Sequence, residues 1–115
     1  MKFQILENST EPSSRCGSIN VSYDLLVKTF GDPQLYSTQP GHKVDINWIV
    51  QFGDGTLAII YNYKNGPNYL GEYGTPVTEI TNWHINGVNS RCVRLVEQTI
   101  AEKECNQLDI FEHLS

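Results

Sequence analysis

Two stretches of this chain carry different hydrophobic periods, and between them they predict most of its architecture. In "VSYDLLVKTFGDP", Tyr23, Leu26, Val27 and Phe30 recur at i, i+3, i+4 and i+7, the spacing of a single helix face. Ser22 stands where a cap is needed, Asp24 lies in the first turn, and Val21 and Leu26 match a hydrophobic staple across the cap. Gly31 and Pro33 stop the helix. In "VDINWIVQFGDGTLAIIYNYK" the period drops to two on both sides of Asp54-Gly55, a strong signal for a two-residue type I′ hairpin turn. Such a turn pairs Phe52 with Leu57, Val50 with Ile59, Trp48 with Tyr61 and Ile46 with Tyr63 on a core face. The other face then pairs Gln51 with Ala58, Ile49 with Ile60, Asn47 with Asn62 and Asp45 with Lys64. The Ile49–Ile60 pair is the misfit on that otherwise polar side.

Weaker signals fill in the rest. "KFQILE", Lys2 to Glu7, reads as a short strand, and residues 8–20 read as a loop or mobile arm. "VTEITNW" reads as a third strand. "VNSRCVRLVEQTIAEKE" reads as a second helix over about 89–104, capped by Asn89, stapled by Val88 and Val93, with Cys92, Val96 and Ile100 on its apolar stripe. Residues 106–115 continue that helix or form a tail. The expected fold is α+β, one domain over 1–115. An antiparallel sheet of three to four strands is built on the central hairpin at about 43–64. Two helices, about 22–30 and 89–104, pack on one face.

Composition narrows the function classes. At 115 residues, with 39% hydrophobic and 18% charged residues, the chain can bury a core of its own without a metal or disulfide staple. The net charge is −5, and from Glu97 onward five acids stand against one base, Lys103. That balance disfavours direct nucleic-acid or anionic-membrane binding and suits a basic partner surface. No stretch approaches the ~20 apolar residues of a membrane helix, and the N-terminus lacks a signal-peptide pattern. Three widely spaced cysteines, Cys16, Cys92 and Cys105, fit neither a disulfide framework nor a zinc site. They fit a reducing compartment, so a cytoplasmic location is expected.

No motif for a nucleophile, a metal or a phosphate-binding loop is present, and His42, His84 and His113 lack metal-ligand spacing. No catalytic residue, metal or cofactor is therefore expected. In "ITNWHINGVN", alternation sends Trp83 into the core and leaves His84 at the rim, beside an Asn86-Gly87 turn that closes a sheet-to-helix corner. The loop from Asn65 to Pro76 is rich in glycine, asparagine and tyrosine. Lys64, Asn65, Asn68, Tyr69 and Tyr73, joined by His84, make the candidate recognition surface, since tyrosine and asparagine are adaptable contact residues. Arg91 and Arg94 complete the expected binding set, with Lys64, Arg91 or Arg94 as the expected phosphate partner.

The blocks "YDLLVKTFGDP", "KVDINWIVQFGDGTLAIIYNYK", "NYLGEYG" and "ITNWHINGVN", from Val21 to about Val96, together resemble a widespread family of small, mostly uncharacterised bacteriophage proteins. Family members commonly carry Trp-His-Ile-Gly-Gly where this chain has Asn86 at the first glycine. A fainter similarity, a helix, FGxP and a Trp-bearing strand, links the layout to β-lactamase-inhibitor-like and outer-membrane-assembly lipoprotein folds. The phage resemblance implies an accessory protein made inside a bacterium. It leads to the expectation of a non-enzymatic counter-defence protein that binds and inactivates a host defence protein. Two alternatives stand beside it: a sponge for a nucleotide-derived immune signal, and a small hydrolase using His84. Self-association is left open.

Overall fold

A computed structural model describes the chain except Thr10, Pro12 and Ser115, with side chains described no further than Cys105. Those three positions of the expected arm and tail thus lie outside the described residues. The elements run β1 (Phe3–Leu6), β2 (Ser14–Asn20), α1 (Tyr23–Phe30), β3 (Gln34–Leu35), β4 (Ile46–Phe52), β5 (Leu57–Tyr61), α2 (Pro67–Leu70), β6 (Asn82–Gly87) and α3 (Arg91–Leu114). Two 3-10 turns, Gly71–Tyr73 and Val77–Glu79, lie between α2 and β6. The class is α+β. The antiparallel sheet has six strands rather than three or four, in the order β1-β4-β5-β6-β2, with β3 pairing the remaining stretch of β4.

The extra strands come from segments with little apolar signal. Residues 14–20, expected as loop or arm, form the edge strand β2 against β6. Of its seven residues only Ile19 is buried, so hydrophobic alternation could not announce it. The third expected strand is shifted: Val77–Glu79 is a 3-10 turn, and the strand is Asn82–Gly87. Asn86 and Gly87 therefore sit in β6 and make no turn. Gly87 is required for another reason, because a β-carbon there would run into the Cys92 thiol. Helix α3 continues through the stretch 106–114 that was also read as a tail. The Val88–Val93 staple does not form, since Val88 is 71% exposed, while Asn89 Oδ1 does accept the Arg91 amide at 2.9 Å.

The hairpin differs by one residue, with large consequences. Its loop is three residues, Gly53-Asp54-Gly55. The Gly55 amide reaches Phe52 O at 2.9 Å, and Gly55 adopts φ +90°. This is a turn closed by a left-handed glycine, the second common hairpin solution. Trp48 therefore pairs with Ile60, Ile49 with Ile59 and Asn47 with Tyr61. A one-residue slip exchanges every side chain on β5 between faces. Ala58, Ile60 and Asn62 now point toward the helices and are buried, while Ile59 and Tyr61 point away. Ile60 belongs to the core, and Ile49 meets Ile59 on the open face instead.

Helices α1 and α3 cover one face. The core joins Leu26 and Phe30 of α1, Trp48, Val50, Phe52, Ile60, Trp83 and Ile85 of the sheet, and Cys92, Val96 and Ile100 of α3. Ser22 Oγ accepts the Leu25 amide at 3.1 Å and Gly31 caps the other end of α1, as its sequence predicts. Two indoles fasten that short helix: Trp83 Nε1 donates to Val21 O at 3.0 Å and Trp48 Nε1 to Gly31 O at 2.8 Å. Among the described residues no helix is long and apolar enough to cross a membrane.

Candidate functional site

The face of the sheet away from α1 and α3 carries no helix of comparable length, and there a recess of about 500 Å³ opens. Register fixes its floor. Asn47 and Ile49 of β4, Ile59 and Tyr61 of β5 and Asn86 of β6 share this side. The rim comes from Glu7, Asn8 and Ser9 after β1, from Gln34, Leu35 and Tyr36 at β3, and from Val44 and Tyr63. A volume of this size with mixed apolar and amide lining is that of a small-molecule site.

The polar groups of the floor fall into two states. Tyr61 Oη donates to Asn86 Oδ1 at 2.7 Å. Burial raises the Tyr61 pKa above its ordinary value, while the Arg15 charge acts the other way, so the phenol keeps its proton at neutral pH. Asn47 is only 8% exposed, yet its Oδ1 has no hydrogen-bond partner among the described residues. Most buried polar atoms are paired, so an orphan of this kind calls for an explanation. Next to the floor, His84 lies 5.5 Å from the Tyr61 ring and 5.1 Å from the Tyr63 ring. Burial, and after it the Arg15 charge, lowers its pKa below 6.5. Arg15 pairs with Asn86 across β2 and β6 and so stands on this same face.

The residues expected to form the site are divided. Lys64 has φ +60° and its ammonium lies 5.4 Å from the Tyr63 ring and 5.7 Å from the Tyr69 ring, within cation–π range. Tyr73 is 85% exposed. Asn65 and Asn68 serve the loop itself. The buried Asp45 carboxyl accepts from Asn62 Nδ2 at 2.7 Å and from the Asn68 amide at 3.1 Å, Asn62 Nδ2 also reaches Asn65 Oδ1, and Asn68 Nδ2 donates to Ser37 O. Gly66 is wedged into this network, where a β-carbon would strike Asp45 and Asn62. Asparagines, more than tyrosines, pin the loop. His84 does reach the open face. Arg91 does not join it: its guanidinium grips Asp54 Oδ2 at 2.6 Å at the hairpin tip. That tip and Lys64 lie beyond opposite ends of β5, whose five residues span about 16 Å. Arg94 is exposed on α3, the helix that packs on the other face.

The floor residues Asn47, Tyr61 and Asn86, the rim residue Tyr63 and the cation Arg15 were missed. The two-residue turn placed Tyr61 and Tyr63 in the core, and β2 was not recognised as a strand. An isoleucine pair stands on the open face in either register, Ile49–Ile60 or Ile49–Ile59, so it could not reveal the slip. Among the described residues no three His, Cys, Asp or Glu side chains gather as a metal site. Comparison with protein-family models, curated proteins and solved structures finds no match.

Proposed function

We propose that this is a non-enzymatic bacteriophage accessory protein that acts by sequestering a nucleotide-derived immune signal in the open-face recess. The observation that carries the reading is the recess itself: about 500 Å³, floored by Ile49, Ile59 and Tyr61, with the unpaired Asn47 amide in its lining. Aromatic and aliphatic side chains suit a flat ring, and Arg15 supplies a cation on the same face. This replaces Arg91 and Arg94, which lie elsewhere, as the phosphate partner. Thermal-shift measurement with cyclic nucleotides and ADP-ribose derivatives tests the reading. A ligand held tightly raises the melting temperature by several degrees at a hundredfold excess over its Kd. A flat response to the whole panel discards it.

The reading as an inhibitor of a host defence protein draws on a separate observation. Leu35, Tyr36, Tyr69, Leu70 and Tyr73 are large side chains more than two-fifths exposed, and Leu35 and Tyr36 stand on the recess rim. Exposed aromatics of this kind serve as interface anchors. Pull-down from host lysate separates the two: a stoichiometric protein lost on Tyr36→Ala favours inhibition, and a retained small molecule favours capture. The hydrolase reading has less support, for His84 is flanked by Tyr61 and Tyr63 and has no hydrogen bond to Ser18, its neighbour across the ladder, among the described residues.

A further inference from the structure

We propose that Asn47 is the ligand-reading group of the recess, and that it takes a flat heterocycle whose edge sets an amino donor beside a ring-nitrogen acceptor, the edge that adenine carries. The inference rests on the capture reading and deepens it.

The argument starts from a cost. Asn47 is more than nine-tenths buried and lines the recess, yet its Oδ1 is unpaired among the described residues. Each unmet polar group in such a place costs about 1–3 kcal/mol. Folding gains nothing from an asparagine here, since its neighbours Ile49 and Ile59 show that the floor accepts aliphatic side chains. A carboxamide whose oxygen has no partner among the described residues can turn about its last torsion without breaking a bond to that oxygen. It then offers an acceptor and a donor side by side.

That pair is complementary to an amino group beside a ring nitrogen, the pairing by which asparagine and glutamine read adenine. Guanine sets two acceptors on its N7–O6 edge but offers a donor beside an acceptor at N1–O6, so the group that tests the reading is the amino donor of adenine itself. Two more observations fit the same ligand. The Tyr61 and Tyr63 rings, 6.3 Å apart and mutually perpendicular, give an aromatic wall against which a base can lie. Arg15, across the ladder from Asn86, is a cation on the same face, outside the lining, toward which a phosphate leaving the recess would extend. Glu7 is the only acid among the lining residues, and it lies on the rim.

Calorimetric titration of the full chain tests this with three probes. These are adenosine 5′-monophosphate, its analogue without the amino group (purine riboside 5′-monophosphate), and N6,N6-dimethyladenosine 5′-monophosphate, whose amino group has no hydrogen to donate. They are titrated into the native protein, Asn47→Leu and Ile59→Arg, each first shown to unfold cooperatively. The expected result is that the adenosine nucleotide binds the native protein at least about tenfold more tightly than the other two. Asn47→Leu removes that preference and leaves the amino-free analogue as it was, and Ile59→Arg abolishes all binding. Equal binding of the three nucleotides, unchanged by Asn47→Leu but lost in Ile59→Arg, overturns the inference and leaves the capture reading standing. No binding of the adenosine nucleotide overturns the inference too. The capture reading itself falls only if the wider nucleotide panel also gives no response.

Discussion

The two faces of the sheet are built by different rules. The helix side is dry and paired: Trp48, Val50, Ile60, Trp83 and Ile85 are fully buried, and both indole N–H groups have carbonyl partners. The open side mixes Ile49 and Ile59 with Asn47, Tyr61, His84 and Asn86 and leaves a buried amide oxygen unmet among the described residues. One face is arranged for stability. The other departs from that arrangement at the positions that line the recess, which is where a binding protein is expected to trade stability for function.

The contrast is broken most severely from the helix side. Trp83→Ala removes a fully buried indole that meets Trp48 edge to face at 5.4 Å, and it is expected to cost about 3–5 kcal/mol in urea unfolding. A loss under about 1 kcal/mol would show that the helix face is not the core. Next comes the polar network at the end of that face. Asn62 Oδ1 accepts the Asp45 and Ile46 amides at 2.9 and 3.1 Å, and its Nδ2 serves the Asp45 carboxyl. Asn62→Leu leaves those groups unpaired and is expected to cost about 3 kcal/mol, with protease sensitivity appearing in the loop from Asn65 to Thr75.

How far these faces could be read from the sequence follows from β4 and β5. Strand β4 alternates Trp48, Val50 and Phe52 with Asn47 and Gln51, so its core face is legible whatever its partner does. Strand β5, "LAIIY", is apolar on both sides, and only the turn could assign its faces. Asp54-Gly55 suits both a two-residue loop and the glycine-closed three-residue loop, and those differ by the one residue that decides where Tyr61 points. Helix α1 was legible because cap, stripe and stop signal agree. Strand β2 was not, because its pairing rests on backbone hydrogen bonds at a sheet edge, which leave no pattern in side chains such as Ser14, Arg15 and Ser18.

The open face yields smaller changes of another kind. Asn47→Leu removes an amide whose oxygen is unpaired among the described residues, so stability is expected to stay within about 1 kcal/mol of the native value or to rise, by the same urea measurement. A loss of 2 kcal/mol or more would mean that the amide has a structural partner after all. The smallest effect is electrostatic. With its pKa held below 6.5 in the folded protein, His84 is protonated more readily in the unfolded chain. Its contribution leaves stability unaffected well above pH 6.5, and stability declines as pH falls through that value toward the folded pKa. A proton NMR titration should find the His84 midpoint below 6.5, moved upward by Arg15→Gln; a midpoint at or above 6.5 contradicts the burial described.

The paired indoles have one more consequence. Eight residues are too few to hold a helix in water unaided. Helix α1 therefore takes its rigidity from being bolted at each end to the sheet beneath it. One bolt, Trp48, is the immediate chain neighbour of Asn47, so a single strand carries an anchor on one surface and the proposed reading head on the other. Work done to loosen that anchor would be felt, one peptide away, in the floor of the recess.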